Sequence, residues 1–120
     1  MNDRDRTCSG RLALFTDLYE LTMARTYRRE GMDARAAFEL FFRRLPADRH
    51  FIMAAGLDET LTLLERWRFT EDDLAWLRGR GEFEDDFVDW LGTLRFEGDV
   101  WAVPEGTPVF GSEPLVRVEG

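Results

Sequence analysis

Arg43 and Arg44 stand together at the end of an aromatic-rich run, Ala36-Ala37-Phe38-Glu39-Leu40-Phe41-Phe42. Guanidinium forks emerging where a strand meets a loop suit bidentate capture of phosphate or carboxylate. The same pair equally fits a surface that balances nearby acids. Tyr19 lies beside Thr22 and Met23 on a broad apolar arc, where a tyrosine most often packs in a core or an interface with its hydroxyl satisfied at the edge. His50 follows a Pro-Ala-Asp-Arg loop and has no nucleophile or orienting partner spaced to make it a general base, so it reads as a loop histidine. The run Glu82, Glu84, Asp85, Asp86 falls in the first turn of a helix, where carboxylates complement the dipole, and is assigned no chemistry. Asp72 and Asp73 read as helix-start residues, and Glu105, between Pro104 and Gly106, reads as part of a tight turn.

Several classes of chemistry are closed by residue type alone. Lys+Arg total 16 and every one is arginine, which removes Schiff-base chemistry, a phosphate-loop lysine and a carrier lysine. Cys8 and His50 are the sole cysteine and histidine, so no Cys/His zinc pattern exists and no metal ligands are assigned. With a net charge of -8 and its arginines scattered, the chain is a poor nucleic-acid binder. No run is long and apolar enough for a signal peptide or a membrane span. A soluble, cytoplasmic protein is expected.

The elements that must hold these residues follow from periodicity and caps. Residues 1–11 are polar and are expected to form a flexible tail, with Cys8 inert in it; order is expected over 12–120 as one domain. Thr16 or Asp17 caps a first helix, with Glu20 completing a capping-box-like pair and Gly31 ending it, giving about Asp17 to Glu30. Its apolar arc covers over half the circumference, and Asp17, Glu20, Ala24 and Arg28 form the polar stripe. Such a helix is expected to touch more than one layer. The Ala36–Arg44 run reads as a strand, a second helix spans roughly Ile52 to Trp67, and Thr70 with Asp73 starts a short helix ending by Gly79 or Gly81. Phe83, Phe87, Trp90, Leu91 and Leu94 mark a further amphipathic helix. After Gly98, three short strands near 100–103, 108–110 and 115–118 are expected to make a small antiparallel sheet. The fold class is α+β.

Four segments carry a resemblance: Thr16-Asp17-Leu18-Tyr19-Glu20-Leu21-Thr22-Met23, Phe38-Glu39-Leu40-Phe41-Phe42-Arg43-Arg44, Phe51 leading to Ala55-Gly56-Leu57, and Gly98-Asp99-Val100-Trp101-Ala102-Val103-Pro104-Glu105-Gly106-Thr107. In order and spacing, from Leu14 onward, the chain resembles the start of the nicotinate phosphoribosyltransferase family. Ala47-Asp48-Arg49-His50 departs from it, since relatives often carry glycine there.

The resemblance implies an enzyme of NAD salvage. Nicotinate attacks the anomeric carbon of phosphoribosyl pyrophosphate and releases pyrophosphate, with magnesium assisting and ATP hydrolysis coupled through a phosphorylated histidine. It further implies a homodimer in which the N-terminal domain of one subunit contributes to the neighbour's site. Tyr19 is then expected to stack on the pyridine ring, Asp17 to lie close to the same pocket, and Arg43, or its neighbour Arg44, to reach a phosphate or pyrophosphate group. Catalytic residues and the barrel are expected beyond Gly120; His50 matches no such motif, and no magnesium or ATP is expected to be bound by these residues alone. The alternatives are a non-catalytic dimerisation module derived from the family, or transfer to nicotinamide or quinolinate.

Overall fold

In a computed structural model, which describes residues 12–120, the described residues begin with a 3-10 turn at Leu12–Leu14 and enter helix α1, Leu18–Glu30. The expected tail and Cys8 lie outside the described residues. Asp17 is the N-cap of α1 in extended conformation, and Gly31 closes the helix at φ 64°, a left-handed value open to glycine at little cost. The elements that follow are β1 (Ala37–Leu40), β2 (Ile52–Met53), α2 (Leu57–Arg66), α3 (Glu71–Arg80), α4 (Asp85–Thr93), β3 (Asp99–Ala102), β4 (Pro108–Val109) and β5 (Val116–Glu119). This is an α+β arrangement, as the sequence predicts.

The described residues divide into two compact units: a helical unit of residues 12–33 and 63–96, and a sheet unit of residues 34–62 and 97–120. In the helical unit, Leu74 and Leu77 of α3 and Phe87, Val88 and Leu91 of α4 form a core with Ala13, Leu21, Phe69 and Phe83. Gly92 permits the close approach of α3 to α4, since a Cβ there would stand 2.9 Å from Leu74 Cδ1. Thr70 caps α3 through the expected box: its hydroxyl accepts from the Asp73 N–H while the Asp73 carboxylate accepts from the Thr70 N–H.

The same unit inverts the expected polarity of α1. Leu21 is its one buried residue, and Ala24 packs against the core on the same side. On that side Arg28 lies over the Trp90 ring, 5.3 Å from its centroid, and Arg25 over Phe83 at 5.6 Å. The predicted polar stripe is therefore half of the core face. Long arginine stems cover aromatic carbon while the guanidinium meets the ring face and the start of α4, where it pairs with Glu84 and Asp86. Leu18, Tyr19, Met23 and Tyr27 remain exposed.

The sheet unit contains two antiparallel sheets. β5 lies between β1 and β3, with Phe38 opposite Val118 and Val118 opposite Val100. β2 pairs with β4, Ile52 opposite Val109 and Met53 opposite Pro108. The three C-terminal strands thus do not form one sheet, as periodicity suggests. Pro108 has no N–H to donate, which confines β4 to a short edge ladder. The predicted helix from Ile52 is likewise shortened at its start: Met53 falls at helical spacing but sits in β2, and Gly56 at φ 91° breaks the run before α2 begins at Leu57.

Candidate functional site

Tyr19 lies in the first turn of α1. At about 100° per residue it falls on the side away from Leu21, Ala24 and Arg28, and its side chain is 58% exposed. Neighbours steady the turn: the Thr16 hydroxyl donates to the Glu20 carboxylate, and the Thr22 hydroxyl donates to the Tyr19 carbonyl at 2.7 Å. The Tyr19 hydroxyl stands 3.4 Å from Glu20 Oε1, a long contact. Core packing within this unit therefore does not account for the ring. The expected capping box at Asp17 is not formed either. Glu20 turns to Thr16, and the Asp17 side chain makes no cap hydrogen bond, so an exposed carboxylate is left two residues from Tyr19.

In the sheet unit, Arg43 lies in a bend just beyond β1, and both Arg43 and Arg44 are exposed. Among the described residues no hydrogen bond or ion pair engages either guanidinium. Arg117 in the same unit is the contrast: it pairs with Glu119 and, at 3.2 Å, with Glu39 across the β1–β5 ladder. The hydrogen bond and charge of Glu119, with Glu39 behind them, hold Arg117 more firmly protonated than a free guanidinium. Arg117 is thus committed to the sheet, whereas the five donors of Arg43 and of Arg44 meet no partner among the described residues.

The backbone bearing Arg43 is stitched to the β4–β5 loop. The Leu115 N–H donates to the Leu40 carbonyl and the Ser112 N–H to the Phe42 carbonyl, each at 2.8 Å. Gly111 packs so close that a Cβ there would lie 3.3 Å from the Arg43 carbonyl oxygen. The loop closes on itself through Glu113, whose N–H donates to the Phe110 carbonyl at 3.2 Å and whose carboxylate accepts from the Phe110 N–H at 2.9 Å. Ser112 holds φ 68°, the sole non-glycine residue at positive φ among those described. From sequence alone, Gly111-Ser112-Glu113-Pro114 reads as a turn between two short strands, with nothing to indicate its contact with Phe42 and Arg43.

Glu105 was also missed as a contributor. Its carboxylate Oε1 accepts from the Gly56 and Leu57 N–H groups, each at 2.7 Å, and so caps α2 from 48 residues away in sequence. No local pattern exposes such a cap. His50 is exposed in its loop, and the acidic run meets Arg25 and Arg28 as described. Asp73 is fully buried, with Oδ2 in the capping box and Oδ1 without a hydrogen-bond partner among the described residues. No group of three or more His, Cys, Asp or Glu among the described residues is placed to hold a metal ion. No helix among them is long and apolar enough to cross a membrane.

Residues 14–120 match the family described as nicotinate phosphoribosyltransferase (NAPRTase) N-terminal domain. A nicotinate phosphoribosyltransferase of Mycobacterium tuberculosis is 57% identical over 106 residues, covering 88% of this chain and 23% of that protein. One of Bacillus subtilis is 43% identical over 109 residues, covering 90% of this chain and 22% of that protein. The crystal structure of human nicotinic acid phosphoribosyltransferase superposes with a TM-score of 0.74 at 38% identity, covering 88% of this chain and 22% of that chain. The chain thus spans under a quarter of the length of these relatives.

Proposed function

As the chain belongs to the nicotinate phosphoribosyltransferase family, whose N-terminal domain it matches over residues 14–120, we propose that it supplies the N-terminal part of the site that makes nicotinate mononucleotide. In that reaction the pyridine nitrogen of nicotinate bonds to the anomeric carbon of phosphoribosyl pyrophosphate as the carbon–oxygen bond to pyrophosphate breaks. Magnesium would assist departure of the pyrophosphate and ATP hydrolysis would be coupled to the reaction, each held by sequence other than the residues described, and the protein works in the cytoplasm.

The observation that carries the reading is the placement of Tyr19. Its ring is presented to solvent from a helix whose core contacts are met on the opposite side. A rigid, half-exposed aromatic face is suited to stack on a flat pyridine carboxylate. Within a homodimer this ring serves the neighbouring subunit's site, with the Asp17 carboxylate beside the same pocket. Arg43 supplies a bidentate fork for phosphate or pyrophosphate oxygens, stabilising charge that grows as the leaving group departs.

The test is kinetic, in the full-length enzyme. Tyr19→Ala is expected to raise the KM for nicotinate, and Arg43→Ala the KM for phosphoribosyl pyrophosphate, each leaving the other constant nearly unchanged. A Tyr19→Ala enzyme with unaltered nicotinate kinetics and lowered stability overturns the assignment of Tyr19. A preference for nicotinamide or quinolinate in direct competition overturns the substrate.

A further inference from the structure

The β4–β5 loop touches the one arginine to which the reading above gives a phosphate. The Ser112 N–H holds the Phe42 carbonyl, and Gly111 lies against the Arg43 carbonyl. Ser112 keeps a left-handed φ of 68°, a conformation uncommon for residues other than glycine. Glu113 closes the turn in which Ser112 lies. Its carboxylate and its N–H clamp the two backbone polar groups of Phe110, so residues 110–113 close into a rigid ring of contacts. Pro114, fixed in φ by its own ring, follows immediately. A guanidinium on a long flexible stem gains precision chiefly from the fixity of its backbone, and a misplacement of about 1 Å is enough to lower a rate about a hundredfold.

We propose that Glu113 is a positioning residue for Arg43: by closing the 110–113 turn it fixes the backbone of Phe42 and Arg43 and so sets the reach of the Arg43 fork toward a phosphate or pyrophosphate group. The inference rests on the assignment of Arg43 to phosphate. Glu113 itself does not meet substrate. Its carboxylate is engaged with the Phe110 N–H, and an amide oxygen in the same place accepts that hydrogen bond equally well.

The experiment is a kinetic cycle in the full-length enzyme, with phosphoribosyl pyrophosphate varied at saturating nicotinate and the converse. Glu113→Ala is expected to raise the KM for phosphoribosyl pyrophosphate about tenfold with the nicotinate KM changed less than about twofold, and Glu113→Gln to stay within about twofold of the parent. In an Arg43→Ala background, adding Glu113→Ala is expected to change neither constant, because the group it positions is gone. Gly111→Ala, whose new Cβ presses on the Arg43 carbonyl, is expected to act in the same direction as Glu113→Ala and serves where the latter fails to fold. The inference is overturned if Glu113→Gln is as damaging as Glu113→Ala, if Glu113→Ala raises both KM values alike, or if Glu113→Ala or Gly111→Ala has its full effect in the Arg43→Ala background. Should Arg43→Ala alone leave the phosphoribosyl pyrophosphate KM unchanged, the assignment of Arg43 falls and this inference with it. Should Arg43→Ala raise that KM while Glu113→Ala multiplies it independently, only the positioning role falls.

Discussion

Tyr19 and Leu21 are two positions apart on one helix and meet opposite environments: Tyr19 is 58% exposed and Leu21 is 7% exposed. This contrast makes the packing and recognition roles separable by experiment. Ring stacking of the kind proposed contributes about 0.5–1.5 kcal/mol beyond burial, so Tyr19→Ala is expected to raise the nicotinate KM roughly two- to tenfold while the melting temperature stays nearly constant. Leu21→Ala should do the reverse, lowering the melting temperature, with a cost of about 2–5 kcal/mol for a truncated core leucine. Arg43→Ala should move only the phosphoribosyl pyrophosphate KM. At this scale the sequence was legible for residue type. The Thr16-to-Met23 segment and the Phe-Phe-Arg-Arg run single out Tyr19, Asp17 and Arg43 through family resemblance. Their surroundings were not legible: whether Glu20 turns to Asp17 or to Thr16 is a choice between two neighbouring acceptor geometries that no spacing decides.

Among the elements, α3 was read nearly whole, because Thr70 and Asp73 satisfy each other three residues apart and nothing distant intervenes. α2 was read only in its body. Its start depends on Glu105, which reaches from the β3–β4 connection to the Gly56 and Leu57 N–H groups. Glu105→Ala is expected to lower stability by about 0.5–2 kcal/mol, as for loss of an N-cap, and Glu105→Gln by less, since its amide oxygen still accepts; chemical denaturation of the purified chain measures both. Faster amide exchange confined to the first turn of α2 in Glu105→Ala would identify the cap as the cause, and an unaltered denaturation midpoint would refute it. The sheet order was illegible for a similar reason. Period-two patterning finds strands 100–103 and 115–118 but carries no information on partners, and β5 chooses β1 and β3 across more than 75 residues of sequence in the first case, as the Glu39–Arg117 separation of 78 shows.

For the molecule as a whole, the α+β class followed from composition and periodicity, while the division into a helical and a sheet unit follows from contacts that join distant segments. Each unit gathers pieces from two stretches of chain. Because the chain spans under a quarter of the relatives it matches, the 120-residue chain on its own is expected to form no nicotinate mononucleotide from nicotinate, phosphoribosyl pyrophosphate, ATP and magnesium. Robust product formation in a direct assay would refute that expectation and move catalytic groups into these residues.

The inverted polarity of α1 has a consequence for how such a domain can change over time. The helix meets its structural obligations through Leu21, Ala24, Arg25 and Arg28, while Tyr19, Met23 and Tyr27 owe the unit little. Substitution on that outer arc is therefore expected to cost the fold little. One short helix thus separates the residues that hold its fold from those left open for recognition.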